Sequence, residues 1–147
     1  MKLLLIAAAL SATLLMAVSG CGGSEAVEVH LSKKQFLKKS EEVCSEAENE
    51  QFEGAGQYME KHPNAKEEDL VVPAGLPPIE KEIKKLKALG PPKGGEAEIE
   101  AFIKALEAAA EAAKEDPKVV LASQGNPFEK PDKLASEYGF SVCANNP

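Results

Sequence analysis

The first apolar residues of the chain form one unbroken run, unlike the spaced apolar positions that follow. Residues 3–18, LLLIAAALSATLLMAV, contain no charged side chain. A transmembrane helix needs about 20 apolar residues, so the run is short for a membrane span. It is typical of the core of a secretion signal, and Lys2 supplies the positive charge that precedes such a core. We therefore predict a signal peptide over residues 1–20.

The run ends in an aliphatic residue, two small residues and a cysteine, Val18-Ser19-Gly20-Cys21. This order resembles the lipobox of bacterial lipoproteins. The resemblance implies diacylglycerol on the sulfur of Cys21, cleavage before Cys21, and stable anchoring by two or three acyl chains such as palmitate. Two alternatives stay open, an uncleaved membrane anchor and an ordinary secretory signal. The small residues that follow predict a lipidated tether over residues 21–31.

After the tether, apolar residues recur at helical spacing. Ser32 followed by Gln35 is a capping-box pattern, so we predict a long first helix over residues 33–61. Gly54 and Gly56 weaken its middle, and we predict a kink or break there. The expected core face consists of Phe36, Leu37, Val43, Cys44, Ala47, Gly54, Ala55, Tyr58 and Met59.

Proline and glycine divide the rest of the domain, residues 32–147. The pattern predicts a connecting loop over 63–78, a second helix from around Pro78 to Leu89, a third over 96–115, a short helix over 118–124, and a last one over 131–138.

Gly139 followed by the apolar Phe140 fits a Schellman cap at the end of the last helix. No stretch of useful length alternates as a strand would. The predicted fold class is all-α, a bundle of about four main helices joined by Pro/Gly-rich loops.

Cys44 and Cys143 remain once Cys21 is assigned to the lipid. Export would place them in an oxidising compartment, so we predict one disulfide that staples the bundle. It would close a loop of roughly 100 residues, which the loop-entropy model credits with about 4–5 kcal/mol. The alternatives are free thiols or a metal site. His30 and His62 show none of the short spacings of zinc ligands.

Composition narrows the possible partners. The chain has 147 residues and a formal charge of −7, and loss of Lys2 with the leader makes the remainder more acidic by one. It has no arginine, no tryptophan and two tyrosines. These features argue against a nucleic-acid partner and against a polybasic grip on anionic lipid.

The domain over about residues 33–143 resembles small secreted or lipid-anchored helical proteins of actinobacteria. The residues that carry the likeness are Cys44, Leu70-Val71-Val72-Pro73, Ile83, Leu86 to Gly94, the Glu-rich third helix, Tyr138-Gly139-Phe140 and Cys143. Such proteins often have arginine where this chain has Lys87. The resemblance implies the fold, the export, the disulfide and a position on the outer face of the membrane, and it implies no activity.

No catalytic, cofactor or metal site stands out. His62 is a candidate base, but a solvated helix-terminal histidine is the favoured interpretation. Met59 is interpreted as a core residue rather than a haem ligand. The carboxylates of the first helix form a solvated face rather than a calcium site.

We therefore predict a non-enzymatic, lipid-anchored extracytoplasmic module that contacts another cell-envelope component. The alternative is a carrier of a small apolar ligand held between helices, and an enzyme of unrecognised type ranks third. A contact module predicts a filled core and an apolar surface patch, whereas a carrier predicts a lined cavity.

Overall fold

The computed structural model describes residues 30–145, so the predicted signal peptide and Cys21 lie outside the described range. Within that range all regular structure is helical, which confirms the all-α bundle. The α-helices are α1 (Lys33–Lys61), α2 (Glu67–Leu70), α3 (Leu76–Leu89), α4 (Glu96–Glu115) and α5 (Glu129–Tyr138). A π-helical turn at Val71–Gly75 joins α2 to α3, and 3₁₀ turns lie at Pro117–Leu121 and Cys143–Asn145.

Helix α1 begins where the sequence predicts. The Ser32 Oγ accepts a hydrogen bond from the Gln35 N–H at 3.3 Å, and the Gln35 Oε1 accepts one from the Ser32 N–H at 3.0 Å. Of the predicted kink or break at the two glycines, the break is wrong, because α1 continues as helix to Lys61. A Cβ on Gly54 would lie 3.5 Å from the Ala74 Cβ, so this glycine lets the π-helical turn approach closely.

Only the first part of α1 is buried in the core. Its buried side chains are Phe36, Ser40, Cys44 and Ala47, and none follows Ala47. The prediction of a core Met59 is therefore wrong, since Met59 is 50% exposed. The reason is length: at about 1.5 Å per residue, the 29 residues of α1 extend well beyond the 14 residues of α3, its main packing partner.

Much of the stretch predicted as a loop over 63–78 is helical instead. Pro73 has no N–H and cannot make an α-helical bond, and the chain widens there into the π-helical turn. The Leu76 N–H then donates to the Val71 carbonyl, five residues back. Helix α3 starts at Leu76, two residues before the predicted start, because its first turn accepts Pro77 and Pro78 without losing an internal bond.

Aromatic side chains close the core at the end of α5. The Phe140 ring centroid lies 5.5 Å from that of Phe102 and 5.3 Å from that of Tyr138. The predicted Schellman cap is confirmed: Gly139 has φ 109°, its N–H donates to the Ser136 carbonyl, and the Phe140 N–H donates to that of Ala135. This cap turns Phe140 back into the core.

The third helix matches its prediction in both bounds. The last helix starts two residues before the predicted 131, and the short helix predicted over 118–124 is the 3₁₀ turn Pro117–Leu121.

Candidate functional site

Cys44 and Cys143 form a disulfide, as predicted, with their Cα atoms 5.2 Å apart. Both residues are 1% exposed. The bond joins the first half of α1 to the last turn of the described chain. Because the pair is oxidised and buried, the alternatives of free thiols and a cysteine metal site do not hold in this structure.

The Glu41 carboxylate holds the C-terminal turn beside that disulfide. It accepts hydrogen bonds from the Ser141 N–H, from the Ser141 Oγ at 2.7 Å, from the Val142 N–H at 2.8 Å and from the Cys143 N–H at 3.2 Å. Partial burial raises the pKa of Glu41, but these bonds outweigh burial and leave the pKa below its usual value. Glu41 is therefore not part of a solvated acidic face.

Glu82 is a buried acid that the sequence analysis missed. It is 1% exposed, and its Oε1 lies 3.3 Å from the Cys44 Sγ. A signal was present, because Glu82 shares the core-facing spacing of Ile79, Ile83 and Leu86. The inner side of the disulfide therefore faces a polar group rather than an all-apolar core.

An apolar cleft of about 190 Å³ opens between α1, the π-helical turn and the 3₁₀ turn at Pro117–Leu121. We call it the apolar cleft, and its walls include Gln51, Ala55, Leu70, Val71, Val120 and Phe128.

Gln51 is the polar side chain in the walls of the apolar cleft. Its Nε2 donates to the Gly75 carbonyl at 3.1 Å. Its Oε1 is buried and has no hydrogen-bond partner within residues 30–145. The walls of the cleft are thus apolar apart from the Gln51 amide, which is held by its bond to Gly75.

Exposed apolar side chains lie close in sequence to residues of the apolar cleft. Phe52, Ala55 and Met59 follow one another at spacings of three and four, which places them side by side on α1. Phe52 is 83% exposed. Val72 and Leu121, each next in sequence to a residue of the cleft wall, are 43% and 47% exposed. We call Phe52, Met59, Val72 and Leu121 the apolar rim.

The other candidates from the sequence do not come together. His62 is exposed and its ring lies 4.4 Å from that of Tyr58, while His30 is exposed at the start of the described chain. Among residues 30–145 no three His, Cys, Asp or Glu side chains are grouped as a metal site would require. No helix in the same range has the length and apolar character to cross a membrane.

The acidic face of α1 is partly paired with α3. The Lys81 Nζ contacts Glu46 at 3.2 Å and also binds Glu50, and Lys85 binds the second oxygen of Glu46. Hydrogen bonds from Lys85 and Lys81 lower the pKa of Glu46. The carboxylates of Glu46 and Glu50 therefore link α1 to α3 through ion pairs.

No protein-family model matches this chain, and no curated protein or solved structure is significantly similar to it. The likeness to small actinobacterial helical proteins thus stays a prediction.

Proposed function

We propose that this protein is a lipid-anchored extracytoplasmic module that binds an apolar segment of another cell-envelope protein through the apolar cleft. The observation that carries the proposal is the cleft with its apolar rim. Phe52 is 83% exposed beside it. Burial of so large a side chain stabilises a complex by about 1.5–3 kcal/mol, which favours a contact at this place.

The volume of the apolar cleft favours an inserted side chain over a drug-sized or longer apolar ligand. A dry cavity of about 150 Å³ holds a benzene ring, whereas small-molecule sites measure about 300–1,000 Å³. The cleft measures about 190 Å³. It has room for one aromatic or branched aliphatic side chain. The alternative, a carrier of a small apolar ligand, rests on the same walls but needs more space.

Charge selects among the possible partner segments. Glu67, Glu68 and Asp69 form the first turn of α2, immediately before the cleft residues Leu70 and Val71. A partner whose apolar anchor is flanked by lysine or arginine would be attracted, and an acidic partner would be repelled.

The proposed lipid anchor rests on the sequence of the predicted signal peptide alone. An apolar run followed by Val18-Ser19-Gly20-Cys21 supports lipidation of Cys21, which would keep the domain at the outer face of a membrane. In Cys21→Ala we expect a protein without acyl mass that leaves the membrane fraction. Acyl mass on that variant, measured by mass spectrometry, would contradict the anchor.

The contact is tested by photocrosslinking in the native host. A photoreactive phenylalanine at Val72 stands on the apolar rim. The test variant is Ala55→Phe, which fills the apolar cleft. The matched control is Gly56→Phe, which adds the same side chain to the same helix where nothing lies within 4 Å.

We expect one envelope protein to be captured by the parent and by Gly56→Phe and to be lost in Ala55→Phe. The crosslinked peptide should carry an apolar residue flanked by basic ones. Leu121→Glu, in the 3₁₀ turn that contributes to the rim, is a second test if Ala55→Phe does not fold. Capture that neither variant reduces would overturn the proposal. Thermal stabilisation by a fatty acid, lost in Ala55→Phe, would support the carrier instead.

A further inference from the structure

A second, polar cleft lies at the other end of the domain. It encloses about 210 Å³ where the start of α1, the start of α4 and the last turn of α5 meet. Its walls include Lys33, Lys93, Gly95, Glu98, Glu137 and Tyr138. We call it the polar cleft, and none of these residues belongs to the apolar cleft.

The Tyr138 hydroxyl is an unusual group in this wall. Tyr138 is 8% exposed, and its oxygen is buried with no hydrogen-bond partner within residues 30–145. The Lys33 ammonium lies over the ring, 4.2 Å from its centroid. Most buried hydroxyls are hydrogen-bonded, and leaving one unsatisfied costs about 1–3 kcal/mol. A ligand that accepts from this hydroxyl would recover that cost.

The hydroxyl points at the N-terminal end of α4. Gly95 is the N-cap residue of this 20-residue helix and provides no side-chain cap. A Cβ on Gly95 would overlap the Tyr138 hydroxyl, so only glycine leaves space for it. The first N–H groups of a helix lack intrahelical partners and carry partial positive charge. The Glu96 carboxylate lies beside this end of the helix and accepts a hydrogen bond from the Gly94 N–H, just before the N-cap, at 2.8 Å.

The charges of the walls are balanced. Lys33 and Lys93 are cations, and Glu98 and Glu137 are anions. Burial raises the pKa of Tyr138, and the carboxylates of Glu98 and Glu96 raise it further. A simple anion would be attracted by the lysines and repelled by these carboxylates, and a simple cation would meet the reverse. A molecule with both charges would find a partner for each.

We propose that the polar cleft binds a small zwitterion of amino-acid size, whose carboxylate accepts a hydrogen bond from Tyr138 and whose ammonium pairs with Glu98 or Glu137. The volume suits this class, because it is below the range of drug-sized pockets. The site is separate from the apolar cleft, so this binding does not depend on the proposed function.

The test is an NMR titration of the full-length chain in detergent, with ¹⁵N-glycine as the label. Gly94 and Gly95 report from the polar cleft, and Gly54 and Gly56 serve as distant references. The probes are glycine, D- and L-alanine and β-alanine, compared with acetate and with methylammonium. We expect at least one zwitterion to shift the amide resonances of Gly94 and Gly95 and to reach saturation at millimolar concentrations. Acetate and methylammonium, which carry one charge each, should bind more weakly.

Tyr138→Phe removes the hydroxyl and keeps the ring under Lys33. We expect it to weaken zwitterion binding about tenfold or more, as loss of a hydrogen bond to a charged group would. A purely structural hydroxyl would affect stability and not binding, so thermal unfolding is measured alongside. The matched control is Tyr58→Phe, the other tyrosine, which should bind as the parent does. The proposal fails if no zwitterion saturates, if acetate binds equally well, or if Tyr138→Phe leaves the affinity unchanged.

Discussion

Glu41→Gln isolates the contribution of one carboxylate to the closure of the domain. The substitution keeps one oxygen, which still accepts from Ser141, and turns the other into an amide that faces the N–H groups of Val142 and Cys143. Two charge-assisted hydrogen bonds are therefore lost. Such bonds contribute about 1.5–3 kcal/mol each, and partial exposure reduces the sum to about 2–3 kcal/mol. We expect the free energy of unfolding to fall by that amount at neutral pH.

The assay is urea unfolding followed by circular dichroism, with amide exchange at Val142 and Cys143 as the local readout. The matched control is Glu42→Gln, the neighbouring residue, whose ion pair with Lys38 is 3.8 Å long and exposed. The control should change stability by well under 1 kcal/mol. If Glu41→Gln is no more destabilising than Glu42→Gln, the carboxylate does not hold the turn.

Acid provides a second check on Glu41. Its pKa is lowered in the folded protein from an ordinary value of 4.5. The folded state therefore binds this proton less readily than the unfolded state. The stabilisation is present above the unfolded pKa and disappears as pH falls through the folded one. The parent should lose its stability advantage over Glu41→Gln in that range.

Three further predictions concern stability. Burial raises the pKa of Asp132 from 3.8 to about 6, so the parent should lose stability as pH rises from about 4 to about 6. Asp132→Asn should remove this pH dependence. It should also raise the free energy of unfolding at pH 7 by about 1–2 kcal/mol after allowance for solvent screening, measured by urea unfolding. Replacing both Cys44 and Cys143 by alanine should cost about 3–5 kcal/mol; no loss would show that the bridge is dispensable. Gly56→Ala, at an open position on the surface of α1, should raise the free energy of unfolding by about 0.5–1 kcal/mol, measured by thermal unfolding. A loss of stability would contradict the open surface.

The helices that the sequence predicts well are those with strong local signals at their ends. Helix α1 has a capping box at Ser32, and α4 lies between Gly95 and Pro117, so the bounds of both agree with prediction. A proline predicts the first helical residue of both α3 and α5, and each helix begins two residues before that position. The proline content of residues 63–78 predicts a loop, yet much of this stretch is helical and Leu70 and Val71 line the apolar cleft.

The two clefts and the Glu41 contact are formed by residues that are far apart in the chain, so no local sequence pattern predicts them. Glu41 meets Ser141, which is 100 residues away in the chain. The apolar cleft takes its walls from four separate segments. The local sequence places Tyr138 in a helix cap. Its hydroxyl is buried beside Gly95 only in the folded structure, so the sequence does not predict that the hydroxyl lacks a partner there. Glu82 is the exception, because its place among apolar residues of α3 could have been noticed.

The disulfide has a consequence for how the protein would tolerate proteases. The exposed turn at residues 122–125, between the 3₁₀ turn Pro117–Leu121 and α5, is an accessible place for a cut. Any single cut between Cys44 and Cys143 leaves two pieces that remain covalently joined, because the bond spans 99 positions. A nicked molecule would therefore run as one band without reductant and as two bands with it. Such a cut would otherwise release the C-terminal segment with α5 and Tyr138, so the disulfide would keep the walls of both clefts on one covalently joined molecule.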